Sequence, residues 1–174
     1  MKIAIVTAYI PFMEHDTDVL AEQLKEQLQQ LQHEVVIIKL PFQEKGLDGA
    51  LESILAYKLV KIDVFNTIDK VITLSFPAYH IQHPRKVLWL FDQFHPLHDK
   101  TSQTIDSPEE QCIQEAINYS DSQSLQDIAT IYASSPTIQE RLKLNTLEVS
   151  LLSPALDQSA KQSAWSAILE NLLK

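Results

Sequence analysis

The chain has 174 residues, of which 45% are hydrophobic and 21% are charged, and its formal net charge at pH 7 is −9. This size and composition indicate one folded domain with its own core and argue against a disordered chain. The negative charge opposes nucleic-acid binding, because contacts with phosphates need clustered Lys and Arg side chains. No apolar run approaches the roughly 20 residues that cross a bilayer, and the first residues do not resemble a signal peptide. We therefore expect no integral membrane segment and a cytoplasmic location.

Cysteine and glycine are both scarce in this sequence. Cys112 is the only cysteine, so no internal disulfide is expected and a reducing compartment suits the chain. Because Cys112 lies beside an apolar residue in a predicted amphipathic helix, we expect it to pack in the core rather than to act as a nucleophile. The two glycines, Gly46 and Gly49, lie in one short segment. Glycine-rich loops that cradle a phosphate are therefore not expected.

The hydrophobic pattern predicts strands that alternate with amphipathic helices. Strands are predicted at residues 2–7, 34–40, 70–74, 86–90, 130–133 and 148–152. Helices are predicted from residue 16 or 17 towards 31, from a cap at Asp48 towards 62, at 109–119 and 122–128, from a cap at Ser135 followed by Pro136, and at 160–173.

The predicted strands are continuously apolar, which is typical of a parallel sheet covered by helices on both faces. The expected fold class is therefore α/β, with a Rossmann-like, doubly wound and mainly parallel sheet in a single domain. Ligands of such folds bind outside the carboxyl ends of the strands. This rule selects the loops at residues 8–16, 75–84, 91–99 and 134–136.

Three blocks of sequence, in this order, carry a family resemblance. The first is MKIAIVTAYIP at 1–11, with VLAEQL at 19–24 and HEV at 33–35. The second is SFPAY at 75–79 followed by HPRKVLWL at 83–90. The third is ASSPTIQERL at 133–142, which leads to LSPALD at 152–157. Together they resemble the amino-terminal, acceptor-side half of a GT-B glycosyltransferase of family 4.

The resemblance implies a Rossmann-like domain over residues 1–157 that holds a sugar acceptor. It also implies that the C-terminal helix, within 158–174, packs back on this domain. In complete family members a second domain, which binds the nucleotide-sugar donor, follows the block that LSPALD resembles. We therefore expect a half-domain without its own donor site, inactive alone and acting with a nucleotide-sugar-binding partner chain, or as a homo-oligomer, in polysaccharide biosynthesis. No cofactor is expected.

The sequence departs from the family pattern where the donor phosphates would approach. Family members commonly carry a Gly-Gly pair in the first loop, and His15 and Asp16 stand there in this chain. Two side chains block a close approach, and a carboxylate repels a diphosphate at short range. Members also tend to carry a histidine motif after the fourth strand, where this chain has Asp92, Gln93 and then His95. These departures predict a degenerate active site.

The predicted catalytic residues are Asp92 and His95, since a carboxylate can hydrogen-bond a sugar hydroxyl and an imidazole titrates near neutrality. Four residues are predicted to bind the acceptor: His15, Asp16, Tyr79 and Gln93. An ordinary polar loop explains the side chains around Asp92 equally well. Asp16 and Asp18 are also explained as caps and dipole partners of the first helix.

Histidines recur at a spacing of three, as His80 with His83 and as His95 with His98. Such pairs suit zinc if their loops converge. No cysteine accompanies them, and the resembled enzymes generally work without a catalytic metal. We therefore expect no metal site and expect these histidines to be solvated in their loops.

Two other classes of function stay open at the level of sequence. A non-catalytic protein-interaction module would keep the fold and use the former interdomain face for a protein partner. The degenerate loops favour this class. A small nucleotide or metabolite binder of the flavodoxin type is disfavoured by the scarcity of glycine and by the acidic loops.

Overall fold

The computed structural model describes residues 1–12, 15–42, 46–62, 67–92, 107–143, 147–154 and 161–174, with the backbone alone at Asp92 and at 161–163. Within these ranges six strands alternate with five α-helices, and a short 3-10 helix, Ala78–His80, follows the third strand. In chain order they are β1 Lys2–Tyr9, α1 Asp16–Gln30, β2 Glu34–Pro41, α2 Gly46–Leu59, β3 Lys70–Ser75, β4 Lys86–Asp92, α3 Pro108–Gln126, β5 Thr130–Ala133, α4 Pro136–Lys143, β6 Val149–Leu151 and α5 Lys161–Leu173.

The six strands form one parallel sheet in the order β2-β1-β3-β4-β5-β6. β1 pairs with β2 along its whole length and with β3 on its other side. The chain thus moves outward from β1 to β2 and then crosses back to β3, so the topological switch point lies between β1 and β3. The expected α/β fold with a doubly wound parallel sheet is confirmed. Its strand order begins as in flavodoxin-like folds.

Helices cover both faces of the sheet because successive strand residues point to opposite sides. Ile3 and Ile5 of β1 pack in one core with α1 and α5. Ala4 and Val6 point to the other side. That second face is covered by α2, α3 and α4 through a core that includes Ile54, Ile117, Leu125 and Leu142.

The C-terminal helix packs back on the sheet, as expected. Trp165 of α5 is buried and meets Trp89 of β4 edge to face, with ring centroids 6.3 Å apart. The indole N–H of Trp89 donates to the carbonyl of Leu152 at 2.8 Å. The hydroxyl of Tyr132 in β5 donates to the carbonyl of Asn171 in α5 at 3.2 Å. No helix in the described ranges combines the length and the apolarity that crossing a membrane requires.

Three local expectations differ from the structure. Instead of two helices at 109–119 and 122–128 there is one continuous helix, α3, which ends at Gln126, and Asp121 at the expected break accepts from the hydroxyl of Tyr79. α2 already contains Gly46, so Asp48 lies in its first turn rather than at its cap. The expected burial of Cys112 is wrong: its thiol is free and exposed, because Ile117 and Leu125 define the inner face of α3.

Candidate functional site

The switch point between β1 and β3 is bridged by two buried hydroxyl side chains. The Oγ atom of Ser75, at the end of β3, accepts from the backbone N–H of Ala8 at 3.1 Å. It also lies 3.4 Å from the hydroxyl oxygen of Thr7. These contacts fix the carboxyl ends of the two central strands against each other. These two hydroxyl side chains, Thr7 and Ser75, are called the hydroxyl floor. They lie at the position where ligands of this fold class bind.

The loop after β1 presents aromatic side chains to solvent beside this floor. Tyr9 is 41% exposed, and Phe12 is fully exposed. The backbone of Phe12 is left-handed, with φ of 65°, which is rare for a bulky residue. An exposed aromatic side chain on a left-handed backbone is not explained by core packing, because the described residues give it no burial.

The N-terminus of α1 carries two carboxylates, Asp16 and Asp18, in its first turn. The backbone N–H of His15, the N-cap residue, donates to Oδ2 of Asp18 at 3.3 Å, as in a capping box. The other carboxylate oxygen of Asp18 lies 2.6 Å from Nζ of Lys39 in β2, as an ion pair that is not aligned as a hydrogen bond. Asp16 occupies the first helical position and is exposed. The capping role expected of this pair thus falls to Asp18, while Asp16 leaves a negative charge at the helix end.

The side chain of His15, at the N-terminus of α1, has a ring nitrogen without a hydrogen-bond partner among the described residues. Its backbone is extended, with φ of −109° and ψ of 150°. Its Nε2 atom is buried and has no hydrogen-bond partner among the described residues. A buried nitrogen without a partner is costly. A hydroxyl group of a ligand is one group that would satisfy it.

Tyr79 and His80, in the 3-10 helix after β3, are buried rather than solvated. Tyr79 is 3% exposed, and its hydroxyl donates to Oδ1 of Asp121 in α3. Burial raises the pKa of the Tyr79 hydroxyl well above its usual value, and the Asp121 carboxylate adds to this shift. The expectation of a solvated His80 is wrong. Tyr79 as an acceptor ligand stays a prediction, and in this arrangement its hydroxyl already has a carboxylate partner.

His80 is 1% exposed and lies between two side chains of α3. Its Nδ1 atom is 2.7 Å from Oγ of Ser124, and its Nε2 atom is 3.3 Å from Oδ1 of Asp121. The second contact is not aligned as a hydrogen bond. Burial lowers the pKa of His80, and the contact with Asp121 only partly offsets this effect.

Lys86, at the start of β4, binds the backbone of the segment that contains Tyr79 and Ile81. Its Nζ atom donates to the carbonyls of Tyr79 at 2.6 Å and of Ile81 at 2.8 Å. Burial lowers the pKa of Lys86 to about 8. His83 is also engaged, with Nε2 3.1 Å from the carbonyl of Ile68. The expectation that it is simply solvated is therefore wrong as well.

The predicted catalytic pair is placed only in part. Asp92 ends β4, and its Cα is the register partner of Ser75. The backbone therefore carries Asp92 to the same edge as the hydroxyl floor. Gln93, His95 and His98 lie outside the described residues, so their roles stay predictions.

A cavity of about 550 Å³ lies at the opposite edge of the sheet. It is lined by residues 129–132, Lys143 and residues 147–150, at the starts of β5 and β6. None of the predicted site residues lines it. Within the described ranges no group of three or more His, Cys, Asp or Glu side chains is arranged to hold a metal ion.

The structure is a doubly wound α/β domain whose carboxyl edge carries a hydroxyl floor, exposed aromatic rings and an imidazole nitrogen that has no partner in the part of the chain that the structure describes. No protein-family model, no curated protein and no solved structure matches the chain.

The sequence analysis did not predict the buried hydrogen-bond network that includes Asp121, Ser124 and Lys86. A signal was present in α3, where Asp121 and Ser124 are spaced by three residues and so lie on one face of the helix. The neighbouring Leu125 shows that this face is turned towards the core. Polar residues on an inward face need buried partners, and His80 and Tyr79 are those partners.

Proposed function

We propose that this chain is an acceptor-side domain of the GT-B, family 4 type that binds a neutral sugar acceptor at the carboxyl edge of β1, β3 and β4. The nucleotide-sugar donor is then held by a separate unit, such as a partner chain. His15 and Asp16 contact the acceptor from the start of α1, with Tyr79 and Gln93 as further predicted ligands. Asp92 and His95 are the proposed catalytic residues.

The observation that carries this proposal is the pair of carboxylates, Asp16 and Asp18, in the first turn of α1. A free helix N-terminus attracts phosphate because its N–H groups and dipole favour negative charge. Here Asp18 takes the N–H of His15 and is itself neutralised by Lys39. Asp16 adds a second carboxylate at the same helix end. This corner therefore favours uncharged hydroxyl groups over a diphosphate.

The unpaired Nε2 atom of His15 supports a ligand rich in hydroxyl groups. A sugar hydroxyl both donates and accepts, so it pairs with either tautomer of the imidazole. Holding the acceptor beside Asp92 would also orient a hydroxyl for proton transfer, which is the contribution that acceptor-side residues make to glycosyl transfer.

The test compares neutral sugars with uridine and guanosine diphosphates and their sugar conjugates, by thermal unfolding and by NMR of the His15 ring. A ligand at 100 times its Kd adds about 2.7 kcal/mol, which raises the unfolding midpoint of a domain of this size by roughly 5–10 °C. We expect a stabilising neutral saccharide that shifts the His15 ring nitrogens, and no effect of the diphosphates. Stabilisation by a diphosphate alone would contradict the proposal.

A matched pair of double and single variants isolates the charge at α1. In the Asp16→Ser and Asp18→Ser double variant, we expect weak, salt-sensitive binding of uridine diphosphate to appear, because serine is polar but carries no charge. The control is Asp48→Ser, since Asp48 is an exposed carboxylate in the first turn of α2. Equal behaviour of the two proteins would show that the carboxylates at α1 do not exclude phosphate.

A second candidate is a non-catalytic protein-interaction module that uses the same edge. The observation in its favour is the full exposure of Phe12 together with the partial exposure of Tyr9. Large aromatic side chains are enriched where protein partners dock. Sedimentation analysis of the protein and of Phe12→Ser distinguishes the candidates: a dimer or complex that Phe12→Ser dissociates favours the module, particularly if no saccharide binds.

A further inference from the structure

β2 is an edge strand whose backbone bonds to β1 on one side. In the described sheet β1 is its neighbour, and the two pair in an unbroken register over eight residues. At the start of this pairing the N–H of Glu34 donates to the carbonyl of Met1 at 3.0 Å. Just beyond its end the N–H of Phe42 donates to the carbonyl of Tyr9 at 2.9 Å. The even-numbered residues of β2 therefore direct their backbone groups towards β1.

The odd-numbered residues of β2 direct their backbone groups away from the sheet, because successive residues of a strand bond to opposite sides. These residues are Val35, Ile37 and Lys39, and their N–H and C=O groups are here called the outward row. No strand in the described ranges lies beside it. We propose that the outward row pairs with the same row of a second copy of this chain, antiparallel and about a two-fold axis at Ile37, so that the two sheets join into one.

A two-fold axis at Ile37 makes the outward row complementary to itself. Ile37 then exchanges both of its bonds with Ile37 of the second copy, and Val35 exchanges both of its bonds with Lys39 of the second copy. Every N–H of the row thus meets a carbonyl of the row. Pro41, the next odd-numbered residue, has no N–H and lies beyond the paired part. The row therefore ends at the residue that could not continue it.

The side chains beside the outward row are apolar and incompletely buried. Val36 is 45% exposed, and Ile38 on the same face of β2 is only partly buried where it packs against the core. In the pairing about Ile37, Val36 lies opposite Ile38 of the second copy, as one of the close pairs of an antiparallel ladder. Apolar cross-strand pairs of this kind stabilise a sheet, and the two-fold axis forms this one twice.

The charges on β2 are balanced within the chain, although the whole chain carries a formal net charge of −9. Glu34 forms an ion pair with Lys2 at 3.3 Å, and Nζ of Lys39 lies 2.6 Å from a carboxylate oxygen of Asp18 in α1. Edge strands are commonly protected from pairing by an uncompensated lysine or by a bulge. The lysine of β2 is compensated, and its register with β1 has no bulge. The edge is therefore regular and locally neutral, as pairing with a like copy requires.

The opposite edge of the sheet is not an equivalent partner for β2. It is formed by β6, which has three residues where β2 has eight. A head-to-tail contact of β2 with β6 would leave most of the outward row unpaired and would form an open filament, whereas β2 paired with itself closes as a dimer. In that dimer the two carboxyl edges point in opposite directions. The inference therefore does not depend on the proposed acceptor site and leaves this site open.

The pattern of amide protection tests the pairing directly. We expect sedimentation to show a monomer–dimer equilibrium. Hydrogen exchange carried out above the dimer dissociation constant, quenched and read by NMR, should show protected amides at Val35, Ile37 and Lys39, and dilution below this constant should remove their protection. The amides of Val36 and Ile38, which face β1, are the internal control and should stay protected at both concentrations. A monomer at every concentration, or a dimer whose outward amides exchange freely, would overturn the proposal.

Two matched valine variants test the position of the interface. Val36→Lys places a charge opposite Ile38 of the second copy, twice in each dimer, and should raise the dissociation constant by at least about tenfold. Val19→Lys adds the same charge to an exposed valine of α1 and should leave the dissociation constant unchanged. Thermal unfolding of both variants checks that each is folded. Equal weakening by the two substitutions would contradict pairing through β2.

Phe12→Ser separates this dimer from one that uses the carboxyl edge. Phe12 follows β1 at that edge, away from the outward row, so its replacement should leave the dissociation constant unchanged. A dimer that Phe12→Ser dissociates and Val36→Lys does not would overturn pairing through β2 and would favour the protein-interaction module.

Discussion

The loop after β1 and the segment after β3 are similar in composition but differ in burial and in hydrogen bonding. Both leave the carboxyl edge of neighbouring central strands, and both combine aromatic residues, proline and histidine. Yet Phe12 in the first is fully exposed, whereas Tyr79 in the second is 3% exposed. Among the described residues, the Nε2 atom of His15 in the first loop has no hydrogen-bond partner, while the hydroxyl of Tyr79 in the second segment has a carboxylate partner.

The contrast has a physical origin in what packs over each segment. The 3-10 helix after β3 is enclosed between α2 and α3, which supply Lys58, Asp121 and Ser124 around its polar groups. In the described part of the first loop, Phe12 is fully exposed on a left-handed backbone. Residue types at the edge of a sheet therefore mark a candidate site, and burial by the surrounding helices decides whether they face a ligand.

The largest expected effect on the free energy of unfolding comes from replacing a tyrosine by alanine, and each of the two regions offers one tyrosine for this comparison. Tyr79→Ala should lower the free energy of unfolding by about 3–5 kcal/mol, because it empties a buried aromatic position and leaves Asp121 without its donor. Tyr9→Ala, the matched exposed tyrosine, should cost less than about 1 kcal/mol. Urea unfolding of both variants measures the difference. Equal losses would break the contrast between the two regions.

An intermediate effect is expected from Lys86, which fastens the buried segment. Burial lowers its pKa to about 8 from the ordinary 10.5, so between these values the unfolded chain binds a proton that the folded chain has released. Raising the pH through this window should therefore increase the free energy of unfolding, by about 1–2 kcal/mol after allowance for the partial hydration of the amine.

Urea unfolding at pH 7.5 and 9.5 checks this rise in the wild-type protein and its absence in Lys86→Met. Lys39→Met, which removes the lysine beside the first loop, is the control and should keep the wild-type rise. A rise that persists in Lys86→Met would assign it to another group.

The smallest expected effect belongs to Phe12. Phe12→Gly should raise the free energy of unfolding by about 0.5–1 kcal/mol, because glycine adopts a positive φ without the steric cost that phenylalanine bears, and no burial is lost. Thermal unfolding under matched conditions measures the gain. A loss of more than about 1 kcal/mol would show that Phe12 makes packing contacts and that the two regions are more alike than described.

The sequence predicted the fold closely because its strands are continuous apolar runs. Residues 130–133 were expected as a strand and form β5, and Ser135 caps α4 through a bond from the N–H of Ile138 to its hydroxyl. The returning helix with Trp165 was also anticipated. Periodicity carries this information because each element must bury one side of itself in the same core.

The candidate site was predictable in position but less so in its chemistry. The strand ends select the edge where Ser75 and Asp92 are register partners, and ligand binding there stays a prediction. The sequence did not indicate that Asp18 rather than Asp16 caps α1, nor that His80 is enclosed. The enclosure of His80 depends on Ser124, which is distant in the sequence, whereas the cap bond joins His15 to Asp18 only three residues away.

Local patterns by themselves determined the succession of strands and helices along the chain and the parallel sheet, since periodicity is a property of short segments. Only the tertiary structure decided which polar side chains at the carboxyl edge have partners. The physical reason is that hydrogen bonding and burial depend on contacts between segments far apart in sequence, such as His80 with Ser124, which no local pattern encodes.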